Sequence, residues 1–479
     1  MTKLIFDKSI EIQENNFVPK MDLQGCADLA DILPDKYQKN DLNLPNIPEN
    51  VIVRHFIDLS KQNYCVDDGI YPLGSCTMKY NPKVNEMIAR LPELCNLHPL
   101  QPNAQGSLQI LKGLEYMLCE ITGMDAFTLN PAAGAQGEFV GILMIKKYFE
   151  SRGEKRDKII VPDSAHGTNP ASAAMAGYSI IEIASDENGR LPLDQLEFAM
   201  KEGDVAGLML TNPNTLGLFD RNILEITKIV NENGGICYYD GANLNPMLGV
   251  CRPGDMGFDI VHVNVHKTFS TPHGGGGPGA GPVGVKQKFV PYLPIPRILE
   301  NKNRDKGLYI SYENKETSIG RVNNFYGNFG VLIRAYAYIR GLGPEGLRRV
   351  GQNAVLNANY LKSMLLEKYE VPYDGKCMHE FVIDAKLPND VTAEDVAKRL
   401  LDFGFYAPTI YFPLIVHEAM MIEPTETESK RELDDFIDAM LEIYQEAVND
   451  PEKVKKAPHK TNIGRLDATL AARKPHLRE

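Results

Sequence analysis

The sequence has no apolar run long enough to cross a bilayer, and its first residues lack the hydrophobic stretch of a signal peptide. It has no Cys-x-x-Cys pair. Its eight cysteines are scattered over 479 residues, which argues against a disulfide framework and indicates reduced thiols. Positive charge is in the minority, because 51 Lys and Arg stand against 63 Asp and Glu. We therefore expect a cytoplasmic protein whose main partner is neither a membrane nor a nucleic acid.

The middle of the chain alternates apolar runs with helical periodicity. Predicted strands are Lys158–Val161, Tyr178–Ala184, Val205–Thr211, Gly235–Tyr239, Asp259–Val265 and Gly281–Val285. Predicted helices are Gly137–Phe149, Leu193–Lys201 and Arg221–Glu232. Runs such as GLML and ICYY lack polar alternation, which is typical of strands covered on both faces. The order predicts an α/β fold in which a mostly parallel sheet lies between helices.

The segments on either side of this region differ in composition. The predicted division is an N-terminal arm with helices (1–104), a large α/β domain (105–330), a smaller α+β domain (331–450) and a basic surface tail (451–479). In the smaller domain, capping boxes predict helix starts at Thr392 with Asp395 and at Ser429 with Glu432. Strands are predicted there at His379–Asp384 and Ala419–Ile422.

Lys267 lies where a buried-looking strand, DIVHVNV, runs into a glycine-rich loop. Desolvating an ammonium is unfavourable, and the same desolvation lowers the pKa of a lysine, as an amine that forms a Schiff base requires. An ordinary lysine whose head reaches water at the end of a strand explains this segment equally well.

Three further features precede Lys267 in the chain. Asn130–Glu138 opens a helix with small residues, whose free amides could hold a phosphate, although tight turns look the same. His166 follows a strand and could stack on a planar ring, or have no such role. Asp240 ends an apolar strand and could pair with a protonated pyridine nitrogen, or simply cap a turn. Their order predicts a pyridoxal phosphate site at the carboxyl ends of parallel strands.

Other candidate sites have two explanations each. His262 and His266 are four residues apart, but they lie on and after a strand without a third ligand, so no metal is expected. The glycines at 274–277 could cradle a phosphate or allow a loop to close over the lysine. The segment with Ser75 and Thr77 could line the entrance or pack the N-terminal arm against the large domain.

Long motifs give the sequence a strong resemblance to the glycine decarboxylase (P-protein) family of the glycine cleavage system, in its subunit 2 form. The resemblance covers nearly the whole chain. The motifs are PLGSCTMKYNP (72–82), TGMDAFTLNPAAGAQGE (122–138), SAHGTNPASAAMAG (164–177), MLTNPNTLGLFD (209–220), YYDGANLN (238–245), VNVHKTFSTPHGGGGPGAGPVGV (263–285), AMMIEPTETESKRELDDF (419–436) and RLDATLAARKP (465–475). Where the family has Asn-Ser, this chain has Ala132-Ala133, so only backbone amides are expected to contact the phosphate there.

The resemblance implies an aminotransferase-like fold (fold type I) with a seven-stranded sheet, and a glycine dehydrogenase (aminomethyl-transferring) activity. Glycine would join pyridoxal phosphate in place of Lys267, lose CO₂, and pass its aminomethyl group to the lipoyl arm of H-protein. The implied catalytic residues are Lys267, His166 and Asp240; the cofactor contacts are these with Ala133, Gly134, Ala135, His266 and Asn243; the site lining is Ser75, Thr77, Thr168 and Asn212.

Single-chain members of the family are about twice as long, so the resemblance implies a partner, subunit 1, in an α₂β₂ assembly. The basic tail could attract an acidic carrier protein or be a solvated face. Two alternatives stay open. One is another fold type I pyridoxal phosphate enzyme, an aminotransferase or amino-acid decarboxylase. The other is a non-catalytic scaffold subunit, against which the Asp240 and Lys267 pair argues.

Overall fold

The computed structural model describes residues 3–9, 32–37, 44–101, 103–300, 307–324, 326–373 and 375–475. The chain divides into two compact units, Met1–Cys65 and Val66–Glu479. The first unit contains helix α1 (Glu49–Ser60), which begins after the extended Pro48. Over the described residues, no helix combines the length and the apolar character that crossing a membrane requires.

The second unit contains all the strands of the described residues and the α-helices given next. The helices are α2 (Lys83–Ala89), α3 (Pro92–Cys95), α4 (Gln105–Thr122), α5 (Gly134–Ser151), α6 (Thr168–Met175), α7 (Leu193–Met200), α8 (Ile223–Glu232), α9 (Val265–Thr268), α10 (Phe329–Leu365, broken at Gly343), α11 (Ala393–Asp402), α12 (Lys430–Asn449), α13 (Pro451–Lys455) and α14 (Ala468–Arg473). The strands are β1 (Ala126–Thr128), β2 (Lys158–Pro162), β3 (Ser179–Ile183), β4 (Val205–Thr211), β5 (Ile236–Gly241), β6 (Ile260–Val263), β7 (Val283–Val285), β8 (Arg297–Glu300), β9 (Leu308–Ser311), β10 (Phe381–Asp384), β11 (Thr409–Ile410) and β12 (Ala419–Ile422).

A seven-stranded sheet forms the centre of this unit, in the order β1-β7-β6-β5-β4-β2-β3. The strands from β3 to β6 pair in parallel, and β7 pairs antiparallel with both β6 and β1. All residues of β4 and β5 are buried, because apolar clusters cover both faces of the sheet. The predicted α/β fold with a mostly parallel sheet is confirmed.

The end of β6 corrects one predicted element. The sequence pattern predicts a strand over Asp259–Val265, but the strand ends at Val263 and Val265 begins the one-turn helix α9. Lys267 therefore lies within a helical turn beyond the strand, and not on the strand end itself. The apolar pattern continues through Val265 because this residue is fully buried in the core, which hides the change of conformation from a periodicity argument.

A smaller sheet, in the order β10-β12-β11, packs against α10, α11 and α12 around a second apolar core. Both predicted capping boxes are present, at Thr392 with Asp395 and at Ser429 with Glu432. Beyond residue 450, Val454 and Ala457 are buried, whereas residues 459–475 are mostly exposed. The four-part domain division stays a prediction.

Candidate active site

A cavity of about 240 Å³ opens at the carboxyl ends of the central strands, beside the first turns of α5 and α6. Parallel strands bring their carboxyl ends to one edge of the sheet, which is where such folds bind ligands. The cavity is lined by Ser75, Ala133, Gly134, Ala135, Glu138, His166, Thr168, Thr211, Thr215, Asp240, Ala242, Asn243, Asn264, His266 and Lys267.

Most of the residues predicted for the site meet in this cavity. Two do not line it. The amide of Thr77 donates to Glu423 outside the cavity. Asn212 is fully buried, with its side-chain oxygen accepting from the amide of Asp220. The side chain of Glu423 thus holds the backbone at Thr77, and the side chain of Asn212 holds the backbone at Asp220.

Lys267 projects into the cavity from α9. Its side chain is half-buried, and its Nζ donates a hydrogen bond of 2.7 Å to the carbonyl oxygen of Ser75. Ser75 belongs to a segment 192 residues earlier in the chain, so the lysine is held by a distant part of the sequence.

Asp240 ends β5 and is buried at the floor of the cavity. One carboxylate oxygen accepts from the amide of Ala242, and the other accepts from Asn169 and Thr211. Burial alone would raise the pKa of Asp240, but His262, Lys267 and these donors outweigh it and hold the pKa below its usual range. The carboxylate is therefore kept ionised.

His262 lies behind Asp240 because the two residues are direct partners in the β5–β6 register. Its Nε2 is 3.4 Å from Oδ1 of Asp240, and its Nδ1 is 2.8 Å from the hydroxyl of Tyr238. Burial lowers the pKa of His262, against the opposing charge of Asp240. Helix α5 packs directly on Tyr238 at Gly141, where any side chain would overlap the Tyr238 ring.

The first turn of α5 faces the cavity without a side-chain cap. Ala133 is extended, and no side chain among the described residues accepts from the free amides that follow it. A Cβ on Gly134 would overlap the amide group of Asn264, so only glycine lets this turn approach β6 so closely. Uncapped amides at the positive end of a helix form an anion-binding site.

Glu138 lies one turn further along α5, and the sequence argument missed it. Its Oε1 accepts from the hydroxyl of Thr168, whose amide donates to Nδ1 of His166. The other oxygen, Oε2, is buried without a partner in the described part of the chain. Burial, and then the charge of Asp240, raises the pKa of Glu138 to about 8.

His266 and His273 lie on the far side of Lys267, with ring centroids 5.1 Å apart. Burial, followed by the charges of neighbouring groups, lowers the pKa of His266 to about 3 and that of His273 to about 4. Nδ1 of His266 and Oδ1 of both Asn243 and Asn264 are buried with no partner in the described residues. These atoms leave hydrogen-bonding capacity directed at a polar ligand.

Three buried acidic and basic groups lie on the other side of Ser75: His379, Glu380 and Glu423. Their nearest ligand-type atoms all lie within 4.8 Å of one another. The sequence argument missed them, although they flank strands of buried apolar residues in HEFVID and AMMIE. A charged residue beside a buried strand was the same signal that selected Lys267.

Comparisons with known proteins agree with this geometry. A solved structure with a TM-score of 0.74 and 22% identity, over 88% of this chain and 96% of the other, is a glycine decarboxylase (P-protein) of the glycine cleavage system. A cysteine desulfurase from Thermococcus onnurineus NA1 has a TM-score of 0.60 at 18% identity, over 81% and 98% of the two chains. The fold thus defines the chain as an α/β protein of the fold type I class.

The sequence relatives are more specific. Residues 350–464 match the model of the glycine dehydrogenase C-terminal domain. A probable glycine dehydrogenase (decarboxylating) subunit 2 from Caldanaerobacter subterraneus is 55% identical over 99% of this chain and 98% of its own. That from Pelodictyon phaeoclathratiforme is 58% identical over 93% and 92%. The chain belongs to the family of glycine dehydrogenase (decarboxylating) subunit 2.

Proposed function

We propose that the protein is the pyridoxal-phosphate-dependent subunit of a glycine decarboxylase. The observation that carries the proposal is the meeting of Lys267, ionised Asp240 and an uncapped helix start in one cavity. Family membership supports glycine as the substrate, because the relatives are named glycine dehydrogenase (decarboxylating).

The residues of the cavity fit a phosphate-bearing planar cofactor. The free amides at Gly134 and Ala135 suit its phosphate, and the ionised carboxylate of Asp240 suits a protonated ring nitrogen. His166 borders the space between them, and the unpartnered side-chain atoms of Asn264 and His266 suit further polar contacts.

Each residue then has one task. Lys267 would hold the cofactor, and the carbonyl of Ser75 would accept a hydrogen bond from the amine of Lys267 whenever that amine is free. Asp240 keeps a proton on the ring nitrogen, and His262 supports the carboxylate from behind. Pyridoxal phosphate, when bound, supplies the electron sink that accepts the electron pair left as CO₂ departs.

The name "subunit 2" of the relatives supports a partner chain, subunit 1. We extend the proposal to an α₂β₂ assembly in the cytoplasm that delivers the aminomethyl group to a lipoyl H-protein. The division into arm, large domain, small domain and tail is proposed on the same footing.

Two measurements test the function. Borohydride reduction of the cofactor-loaded protein should tag the peptide that contains Lys267, and Lys267→Ala should abolish the tag. Exchange of ¹⁴CO₂ with the glycine carboxyl group should require the partner chain and H-protein. A tag on another lysine contradicts the site, whereas a correct tag without exchange contradicts the substrate but keeps the cofactor. Transamination with 2-oxoglutarate would indicate an aminotransferase.

A further inference from the structure

His379, Glu380 and Glu423 form a closed polar cluster in the small sheet, which we name the acid pair cluster. All three side chains are fully buried. Nε2 of His379 lies 3.8 Å from Oε1 of Glu380 and 3.9 Å from Oε1 of Glu423. Two carboxyl groups and an imidazole therefore point at one small space.

The hydrogen bonds show where a proton fits in this cluster. Glu380 accepts at both oxygens, from the amide of Ser75 at 2.6 Å and from Nδ2 of Asn243 at 3.2 Å. Glu423 accepts at Oε2 from the amide of Thr77 at 2.8 Å. Its Oε1 has no partner in the described residues, and neither has Nε2 of His379. A proton on Oε1 of Glu423 would remove the charge from a buried oxygen that no donor in the described residues contacts.

Electrostatics favours one proton within the pair: the pKa of Glu380 is raised further than that of Glu423, but both oxygens of Glu380 already accept hydrogen bonds, whereas Oε1 of Glu423 has room for the proton. Burial, and then the charge of Glu423, raises the pKa of Glu380 well above its usual range, and burial raises the pKa of Glu423 as well. Lys267, Cys76 and Glu426 are the other titratable groups that interact with the pair. Two buried carboxylates this close cannot both stay ionised beside a single ammonium.

A metal ion fits the cluster less well than a proton does. A divalent ion would require both carboxyl groups to be ionised and would lie beside the ammonium of Lys267. It would add positive charge where Lys267 already lowers the pKa of His379. The proton needs neither change.

The cluster is connected to Lys267 through one residue. The amide of Ser75 donates to Glu380, and the carbonyl of Ser75 accepts from Nζ of Lys267. Ser75 has φ 62° and Thr77 has φ 48°, both in the left-handed region that non-glycine residues rarely adopt. Such conformations persist where surrounding contacts fix them. Here the fixing contacts are the two carboxyl groups of the cluster.

We propose that Glu423 is a neutral carboxylic acid in the resting protein and that, with Glu380, it positions residues 75–77 so that Ser75 receives Lys267. Glu423 and Glu380 are thus positioning residues for the cofactor lysine. The proposal rests on the proposed function in one respect only: it takes Lys267 as the lysine that binds the cofactor.

The isosteric variants separate this proposal from a general packing role. In Glu423→Gln, the amide oxygen can still accept from Thr77 and the amide nitrogen can donate where the acid proton was. In Glu380→Gln, an NH₂ group must face a donor, either Ser75 or Asn243. Asn243 cannot turn freely, because its Nδ2 also donates to Pro213. A buried donor left unpaired weakens a site on the order of tenfold.

The first experiment measures cofactor loading without glycine, by the absorbance of the protein and the borohydride tag on Lys267. We expect Glu423→Gln to load within about threefold of the wild type, and Glu380→Gln and Glu423→Ala to load on the order of tenfold more weakly. Equal losses in all three variants overturn the proposal. Because glycine is absent, a failure of glycine exchange leaves this test unaffected.

The second experiment looks for the proton directly and does not depend on the cofactor. In a Glu138→Gln background, which removes the cavity carboxyl whose pKa is also raised, the infrared carbonyl band of a protonated carboxyl group should be present at pH 6 and should lose intensity when Glu423→Gln is added. Glu418→Gln, the same change at the other end of β12, should keep the band. An unchanged band in Glu423→Gln overturns the proposal. So does a stoichiometric metal in the purified wild type, measured by elemental analysis, that Glu423→Gln removes.

Discussion

Glu138→Gln should make the cofactor-free protein more stable at alkaline pH. The pKa of Glu138 is raised from 4.5 to about 8, so the folded state binds the proton more tightly than the unfolded state does. Below pH 4.5 both states are protonated and no difference arises. Between pH 4.5 and 8 the unfolded state alone loses its proton, so the wild type becomes less stable as the pH rises.

The size of the effect follows from the two pKa values. At about 1.4 kcal/mol for each pKa unit, an interval from 4.5 to about 8 corresponds to an upper limit of about 5 kcal/mol. Glu138 faces the cavity, where water and the neighbouring Asp240 can relax, so we expect about 2–3 kcal/mol. Glutamine keeps the hydrogen bond from Thr168 and cannot ionise, so the variant should not show this loss.

Urea unfolding of both proteins at pH 5 and pH 8.5 measures the difference. The variant should gain little at pH 5 and about 2–3 kcal/mol at pH 8.5. Glu197→Gln, at an exposed position on α7, controls for the general loss of one acidic group and should give equal values at both pH values. A gain for Glu138→Gln that is the same at both pH values refutes the argument, because the raised pKa is its only source.

Two further changes test the packing around the site. Gly134→Ala places a Cβ against the side-chain amide of Asn264, so cofactor affinity, measured by absorbance, should fall at least tenfold. The fall should occur although alanine favours the helix more than glycine does. Unchanged affinity would contradict the close approach of α5 to Asn264. Lys79→Ala removes the ammonium group 2.8 Å from buried Glu426 and should lower the free energy of unfolding by about 3–5 kcal/mol. In a urea titration, the double variant Lys79→Ala with Glu426→Gln should recover part of this loss.

Sequence reasoning located the parts of the site that end strands. Asp240 is the last residue but one of the buried strand β5, and its carboxylate lies in the cavity. Lys267 was found by the same signal, although the strand ends earlier and the lysine lies in a helical turn. Strand ends are predictable because polar residues interrupt a long apolar run there.

Glu138 escaped prediction for a physical reason. A glutamate in the first turns of a helix usually lies in water and interacts favourably with the helix dipole. Only the packing of α5 against the sheet shows that this position is buried and faces Asp240. The apolar residues that follow it, FVGILM, were the one available hint that Glu138 is buried.

The contact that holds Lys267 could not be found by residue type, because its acceptor is a main-chain carbonyl, which every residue has. The side chain of Ser75 does not make this contact, so the identity of residue 75 does not reveal it. The sequence can encode the side chains that fix the backbone of Ser75 in its left-handed conformation. One of them, Glu380, is 305 residues away from Ser75 in the chain, so local sequence does not reveal the contact. Glu380 and Glu423, in the last quarter of the chain, thus set the position of the Ser75 carbonyl near its start. Through this carbonyl they also set the position of the amine of Lys267. We therefore expect mutations of Glu380 and Glu423 to displace Lys267 while leaving the cavity itself intact.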